Sequence, residues 1–242
     1  MLFIIVEVWD ICPCKLIVMT LLTLDGPAFA AAVVMGVLFL LFGGQLGIFF
    51  MLAMLYFLLL SAIVTQIGHG YKKRAGLYEK KRGVRNVLAN GTWPLLMVFL
   101  YLLFGNAHPH IGQMALVGFF GGLAAVTSDK FSSEIGVLDG FPRSIIGFKK
   151  VDKGVSGGIT WLGLGAGLVG SFLVAGLVVF LHPYFYAGVY YIIGVVTIGG
   201  FAGTLFDSFL GWFEERGIGN KFSSNFFGSV CGSIVSIIIM LL

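Results

Sequence analysis

The sequence predicts an all-α, polytopic transmembrane helix bundle of about seven to eight spans, and three observations lead there. Of 242 residues, 58% are hydrophobic and only 11% charged, against about 25% charged in an ordinary soluble domain, and the mean hydropathy is +1.01. The charges are also grouped: none lies in 26–71, 86–128, 154–206 or 222–242, and each of these stretches has room for one or two helices of roughly 20 residues. The apolar runs are continuous, whereas strands of a membrane barrel would alternate over about ten residues. A water-soluble globule is excluded, and a single integral membrane domain over residues 1–242 is expected.

In chain order the expected spans are 1–24, 27–43, 45–65, 92–105, 111–128, 158–181, 184–206 and 226–242. The first is poorly formed, with Glu7 and Asp10 where a signal peptide carries cations, so it reads as a retained segment. Gly43-Gly44, Asn106 to His110 and His182-Pro183 make short hairpins. The three charged loops, 66–91, 129–157 and 207–225, are therefore separated by even numbers of spans and should share one face.

Seven of the fifteen Lys and Arg residues fall between Lys72 and Arg85, beside one acid, Glu79. Lys and Arg collect in cytoplasmic loops, so the expectation is a multi-pass cell-membrane protein with its charged loops in the cytoplasm. The same clustering explains the pI near 9.0 without invoking nucleic acid as a partner. The 24 phenylalanines have no interleaved basic groove and read as packing or lipid-facing residues.

Glycine supplies 36 residues, about twice the usual share. Gly118/Gly122, Gly163/Gly167, Gly199/Gly203 and Gly228/Gly232 have the small-xxx-small spacing that lets helices approach closely in lipid. Gly165, Gly167 and Gly170 match GxGxxG formally, but no strand precedes them, and packing is the preferred reading. Cys12, Cys14 and Cys231 support neither a disulfide framework nor a zinc site. His108 and His110 flank Pro109 and read as a turn.

The residues suited to chemistry lie in the charged loops. Thr127 to Gly136 contains Asp129, Ser132, Ser133 and Glu134; on a continuing helix the first three share a face and Glu134 is displaced, needing a bend to join them. Carboxylates and hydroxyls at a membrane boundary suit a hard cation such as Mg2+, while a solvated helix end is the plainer alternative. Lys149, Lys150 and Lys153, with Gly154, Ser156, Gly157 and Gly158, precede a long apolar helix. Glycines, a serine and lysines at a helix start suit a phosphate cradle, although no Walker A pattern is present, and a positive-inside flank with a flexible turn is the plainer alternative. Asp207 follows an unbroken apolar run, where an acid needs a partner, and could be a further metal ligand. Asn90 and Asn225 stand near expected helix ends and could be caps.

Together these segments resemble an integral-membrane family that includes plant phytyl-phosphate kinase and vertebrate transmembrane protein 19. The resemblance runs from about Leu22 to the C-terminus. It is carried by Leu22 to Ala31, Arg82-Gly83-Val84-Arg85-Asn86-Val87-Leu88-Ala89-Asn90-Gly91, Ser128 to Gly136, Gly154 to Gly158 and Gly203 to Gly211. Val155 departs from the pattern, standing where relatives carry a small hydroxyl residue. A looser similarity to polyprenol kinases such as dolichol kinase implies CTP as co-substrate.

The resemblance implies a membrane-embedded kinase that converts an isoprenoid monophosphate to the diphosphate. Asp129, Glu134 and Asp207 would be the catalytic carboxylates holding Mg2+. Asn90, Ser132, Ser133, the lysines at 149, 150 and 153, the Gly154 to Gly158 turn and Asn225 would bind substrate. Arg143 and the basic stretch Lys72 to Arg85 are candidates for the acceptor phosphate. Membrane lipid and nucleotide are the expected partners, and an oligomer is compatible with the sequence. Cytidylyl transfer to a lipid phosphate is the near alternative. A transporter is the distant one, since transporters place ionisable residues near the midplane and here the charges gather at one surface.

Overall fold

The computed structural model describes residues 24–78, 82–105 and 107–242. The expected first span, Cys12, Cys14 and Glu79 lie outside the described residues. The helices are α1 (Gly26–Phe42), α2 (Gly47–Gln66), the short α3 (His69–Arg74), α4 (Val84–Phe104), α5 (Pro109–Gly136), α6 (Trp161–Ala175, continued by a 3-10 stretch to Tyr184), α7 (Val189–Glu214) and α8 (Lys221–Leu241). Six are long and apolar enough to cross a membrane, and α1 is a shorter apolar helix. Two-residue strands β1 (Arg143–Ser144) and β2 (Gly158–Ile159) pair antiparallel in the α5–α6 connection.

Local chemistry sets the helix starts. Asp25 caps α1 by accepting from the Ala28 backbone N–H at 2.7 Å, with Pro27 in the first turn. Thr160 caps α6 by accepting from Gly163 at 3.0 Å, and Asn220 forms a capping box with Ser223 at the head of α8. A side-chain acceptor at these positions satisfies backbone donors that have no partner within the helix.

α5 is apolar all round over most of its length, as a helix buried on every side must be. It packs against α2, α4, α6, α7 and α8. In its N-terminal half, Phe119 meets Phe50 at 4.8 Å and Phe39 at 6.2 Å between ring centroids, both edge-on. Toward the site the packing changes from rings to glycine. A Cβ on Gly203 would lie 2.5 Å from the Gly228 carbonyl oxygen, and one on Gly232 would lie 2.7 Å from that of Gly121. α5, α7 and α8 therefore touch backbone to backbone, with Thr204 donating to Ala125 O at 3.2 Å and Ser229 to Gly122 O at 3.2 Å. All four small-xxx-small pairs sit at helix contacts. Gly167 and Gly170 of the GxGxxG match pack on Ser128 and Phe131 of α5.

The helices outrun their apolar cores, which corrects several expected boundaries. α5 runs to Gly136 instead of 128 and α7 to Glu214 instead of 206, while α4 begins at Val84 and α8 at Lys221. At 1.5 Å per residue α5 is roughly 42 Å long, more than the ~30 Å hydrocarbon thickness. Hydropathy marks only the lipid-matched part, so charged final turns read as loop. Asn90 and Asn225 are consequently not caps: Asn90 is buried inside α4, and Asn220 holds the cap ahead of Asn225.

The expectation that the three charged connections share a face is met. Asp25 N–H donates to Arg82 O at 3.2 Å, Lys153 donates to the Tyr71 hydroxyl at 2.7 Å, and Ser156 N–H donates to a Glu215 carboxylate oxygen at 2.9 Å. These bonds tie together the loops after α2, α5 and α7.

Candidate functional site

Asp129 stands 20 residues into α5 and Asp207 18 residues into α7, which puts each roughly 30 Å from the opposite end of its helix. α5 and α7 run in the same direction, with Gly200 against Ala124 and Thr204 bonded to Ala125 O, so the two acids reach the same depth. They line a common cleft of about 380 Å³, and their carboxyl groups are close enough for direct side-chain interaction. Asp207 is buried and pairs with Lys221 at the head of α8 over 3.4 Å.

Glu134 lies five residues nearer the helix end and turns toward α2 and α3. Its carboxylate accepts from Lys72 at 2.6 Å and from Thr65 at 2.9 Å, and it also pairs with Lys130. The helix continues without the bend that would bring Glu134 to Asp129, so this side chain lines the cleft wall while its oxygens are engaged by lysines. Among the described residues, no three His, Cys, Asp or Glu side chains converge as a metal cluster. Among the described residues, Asp129 and Asp207 are brought together in the cleft and in the narrow cavity below it.

The phosphate-cradle segment closes the cleft from the other side. Lys153, Gly154, Ser156, Gly157 and Gly158 all line it, together with Ser132, Ser133 and Ser208. Gly157 has φ +77 and rests directly on α7: a Cβ there would lie 2.6 Å from the Trp212 nitrogen and 2.9 Å from the Ser208 carbonyl oxygen. This close approach places the turn one helical turn from Asp207, and only glycine permits it. Val155 lines the cleft with its neighbours.

Arg143, Lys149 and Lys150 are not part of this lining. They are exposed on the small hairpin, where Arg143 donates to Phe148 O at 3.1 Å and Ser144 N–H to Lys149 O at 2.8 Å. Asn90 and Asn225 instead line a narrow cavity beneath the cleft with Asp129 and Asp207. The Asn225 amide lies 3.3 Å from Asn90 Oδ1 in one orientation and donates to Asp207 Oδ1 at 3.1 Å in the other. Pro94, one turn along α4, has no N–H to give the Asn90 carbonyl, while the Asn90 side-chain amide donates to Asn86 Oδ1 at 3.1 Å.

Sequence reasoning missed Lys221 and undervalued Lys72 and Arg82. Lys72 is fully buried and also donates to Thr65 O at 2.7 Å. Arg82 donates to Ser61 Oγ at 2.7 Å and Thr65 Oγ1 at 3.0 Å. Both belong to a basic run that reads as a topology signal. For Lys221 a signal exists: it stands four residues before Asn225, on the same helix face.

The donor set suits a metal-bound polyphosphate. Asp129, Glu134, Asp152 and Asp207 stand around the cleft with Lys130, Lys153 and Lys221, and Lys72 is buried against Glu134, so four acids are balanced by four ammonium groups and no net positive charge is left to neutralise a bare polyanion. Magnesium is held typically by one or two carboxylates together with phosphates and waters, which is what Asp129 and Asp207 can supply.

The family model described as integral membrane protein DUF92 matches residues 14–234. An uncharacterized membrane protein of Methanocaldococcus jannaschii is 35% identical over 236 residues, covering 97% of this chain and 93% of that protein. Protein PGR of Arabidopsis thaliana is 34% identical over 178 residues, 65% of this chain and 62% of that protein. The chloroplastic protein VTE6 of the same plant is 32% identical over 164 residues, 65% of this chain and 47% of that protein. The alignments thus span about half to two thirds of the two plant proteins. No solved structure gives a significant match.

Proposed function

Because the chain belongs to the DUF92 family of integral membrane proteins, we propose that it is a membrane-embedded kinase converting an isoprenoid monophosphate to the diphosphate, with CTP as phosphoryl donor. The observation that carries this reading is the meeting of Asp129, Asp207 and the Gly154–Gly158 turn in one polar cleft at a single end of an otherwise apolar bundle. The resemblance to the family of plant phytyl-phosphate kinase supports a kinase-like reading, and the polyprenol-kinase resemblance supplies the nucleotide.

In this reading the nucleotide phosphates lie against the turn, Lys153 and Lys221. Asp129 and Asp207 would hold magnesium, which when bound neutralises charge on the transferring phosphoryl group. Lys130 and Lys221 face the same space and offset charge on the oxygens that surround the transferring phosphorus. The acceptor is already an anionic phosphate, so no strong general base is required. Catalysis is positioning and charge neutralisation for an in-line displacement. The buried Lys72–Glu134 pair keeps Lys130 at the cleft wall. The basic loops then face the cytoplasm, where nucleotide is found.

Purified protein in lipid nanodiscs, given prenyl phosphate, Mg2+ and each nucleoside triphosphate in turn, should yield nucleoside diphosphate and prenyl diphosphate. Pyrophosphate release would indicate cytidylyl transfer instead. Solute flux into liposomes without nucleotide, with no lipid product, would overturn the enzymatic reading in favour of transport.

A further inference from the structure

The polar cleft does not end at the two aspartates. It shares Asp129, Lys130, Ser133 and Lys221 with a second cavity of about 70 Å³. That cavity in turn shares Phe57, Arg82, Asn86 and Asn90 with a groove of about 60 Å³ between α1, α2 and α4. The three spaces form a series from aqueous cleft to lipid-facing wall. Polarity falls along it: charged groups, then an arginine with three asparagines, then aliphatic and thioether side chains.

The groove itself is lined by Met35, Met51 and Met54, with Leu55 at its rim, half exposed at 51%. Thioethers adapt to irregular apolar shapes, and Gly36 leaves room, since a Cβ there would find its nearest neighbour only at 4.0 Å. The inner end is the opposite in character. Arg82 is held in place by Ser61 and Thr65, and Asn86 accepts from Asn90 at 3.1 Å. The series therefore suits an occupant that is anionic at one end and apolar along the rest.

We propose that this α1–α2–α4 groove is the acceptor site, taking the head-proximal isoprene units of a prenyl monophosphate from the membrane while Arg82 and Asn86 receive its phosphate. The inference rests on the kinase reading and assigns the route by which the lipid meets the nucleotide. Its phosphate points through the Asp129–Lys130–Lys221 constriction toward the cleft. An acceptor oxygen then bonds to the terminal phosphorus of the nucleotide as the bond to the leaving diphosphate breaks. A dianionic acceptor and a tetra-anionic triphosphate give two trianionic products, so no proton, oxidant or reductant enters. The groove is small beside a long prenyl chain, and the remaining units lie in lipid. Recognition therefore reads the head and first units rather than total length.

The test uses the full-length protein in nanodiscs with a farnesyl phosphate carrying a diazirine on its first isoprene unit. Photolabel should map to peptides containing Met35 or Met51–Met54 and be competed by unlabelled farnesyl phosphate but not by phosphatidylglycerol. Gly36→Phe should raise the KM for farnesyl phosphate at least tenfold and leave the nucleotide KM in place. Turnover by the wild type with label on other helices, or label displaced equally by phosphatidylglycerol, would overturn the groove assignment and leave the kinase reading standing. Absence of wild-type turnover with every prenyl phosphate and nucleotide would instead remove the kinase reading, and with it the groove's role.

Discussion

Lys72, on the short α3, donates to the carboxylate of Glu134 at the end of α5 over 2.6 Å, with only 1% of the lysine side chain exposed. The pair bridges 62 residues of sequence and fastens the first basic loop to the central helix. Breaking one side of a buried pair leaves an uncompensated charge, at about 3–5 kcal/mol. Glu134→Gln should therefore lower the thermal unfolding temperature in detergent and reduce the yield of folded protein. An unaltered melting curve with lost turnover would instead make Glu134 a catalytic ligand.

Asp129 and Asp207 predict the contrary pattern. Asp129→Asn keeps the size of the side chain and its place beside Asp207, so the fold should persist while turnover falls. Loss of one preorganised electrostatic group costs about 10²–10³ in rate. The check is nucleoside diphosphate release at saturating prenyl phosphate, with melting temperature measured in parallel. Retention of full activity would remove Asp129 from the site.

Gly157 and Lys149 separate two views of the phosphate cradle. Gly157→Ala adds a methyl against the α7 backbone at a position with φ +77, and should push the turn off Ser208 and Trp212. The expected result is a rise in nucleotide KM of about tenfold, equivalent to about 1.4 kcal/mol of binding. Lys149→Ala, on the exposed hairpin, should change that KM less than threefold. Equal losses for both would mean that the hairpin folds over the nucleotide.

Glycines at the helix contacts supply a stability prediction. Gly203→Ala introduces a Cβ 2.5 Å from the Gly228 carbonyl oxygen, and overpacking of this kind costs about 1–3 kcal/mol. Gly165→Ala, with nothing within 4 Å of its added carbon, should be neutral or slightly stabilising, because glycine inside a helix costs about 0.5–1 kcal/mol relative to alanine. Thermal unfolding of both variants decides it. A lesion in nucleotide binding from Gly165→Ala would revive the GxGxxG reading.

The helical class, the shared face of the charged loops and the roles of the paired glycines follow from composition and spacing, because lipid demands long apolar helices and small residues where they touch. Asp129, Asp207 and the Gly154–Gly158 turn could also be singled out, since charge and glycine stand out beside apolar runs. Only the tertiary structure decided that Glu134 turns to Lys72, that Arg143, Lys149 and Lys150 stay outside the cleft, and that Arg82, Asn86 and Lys221 stand along the path from cleft to groove. The reason is physical. Hydropathy reports where a helix matches the bilayer, but the direction of a charged side chain on its last turns depends on the neighbour it meets, and that neighbour is tens of residues away in the chain.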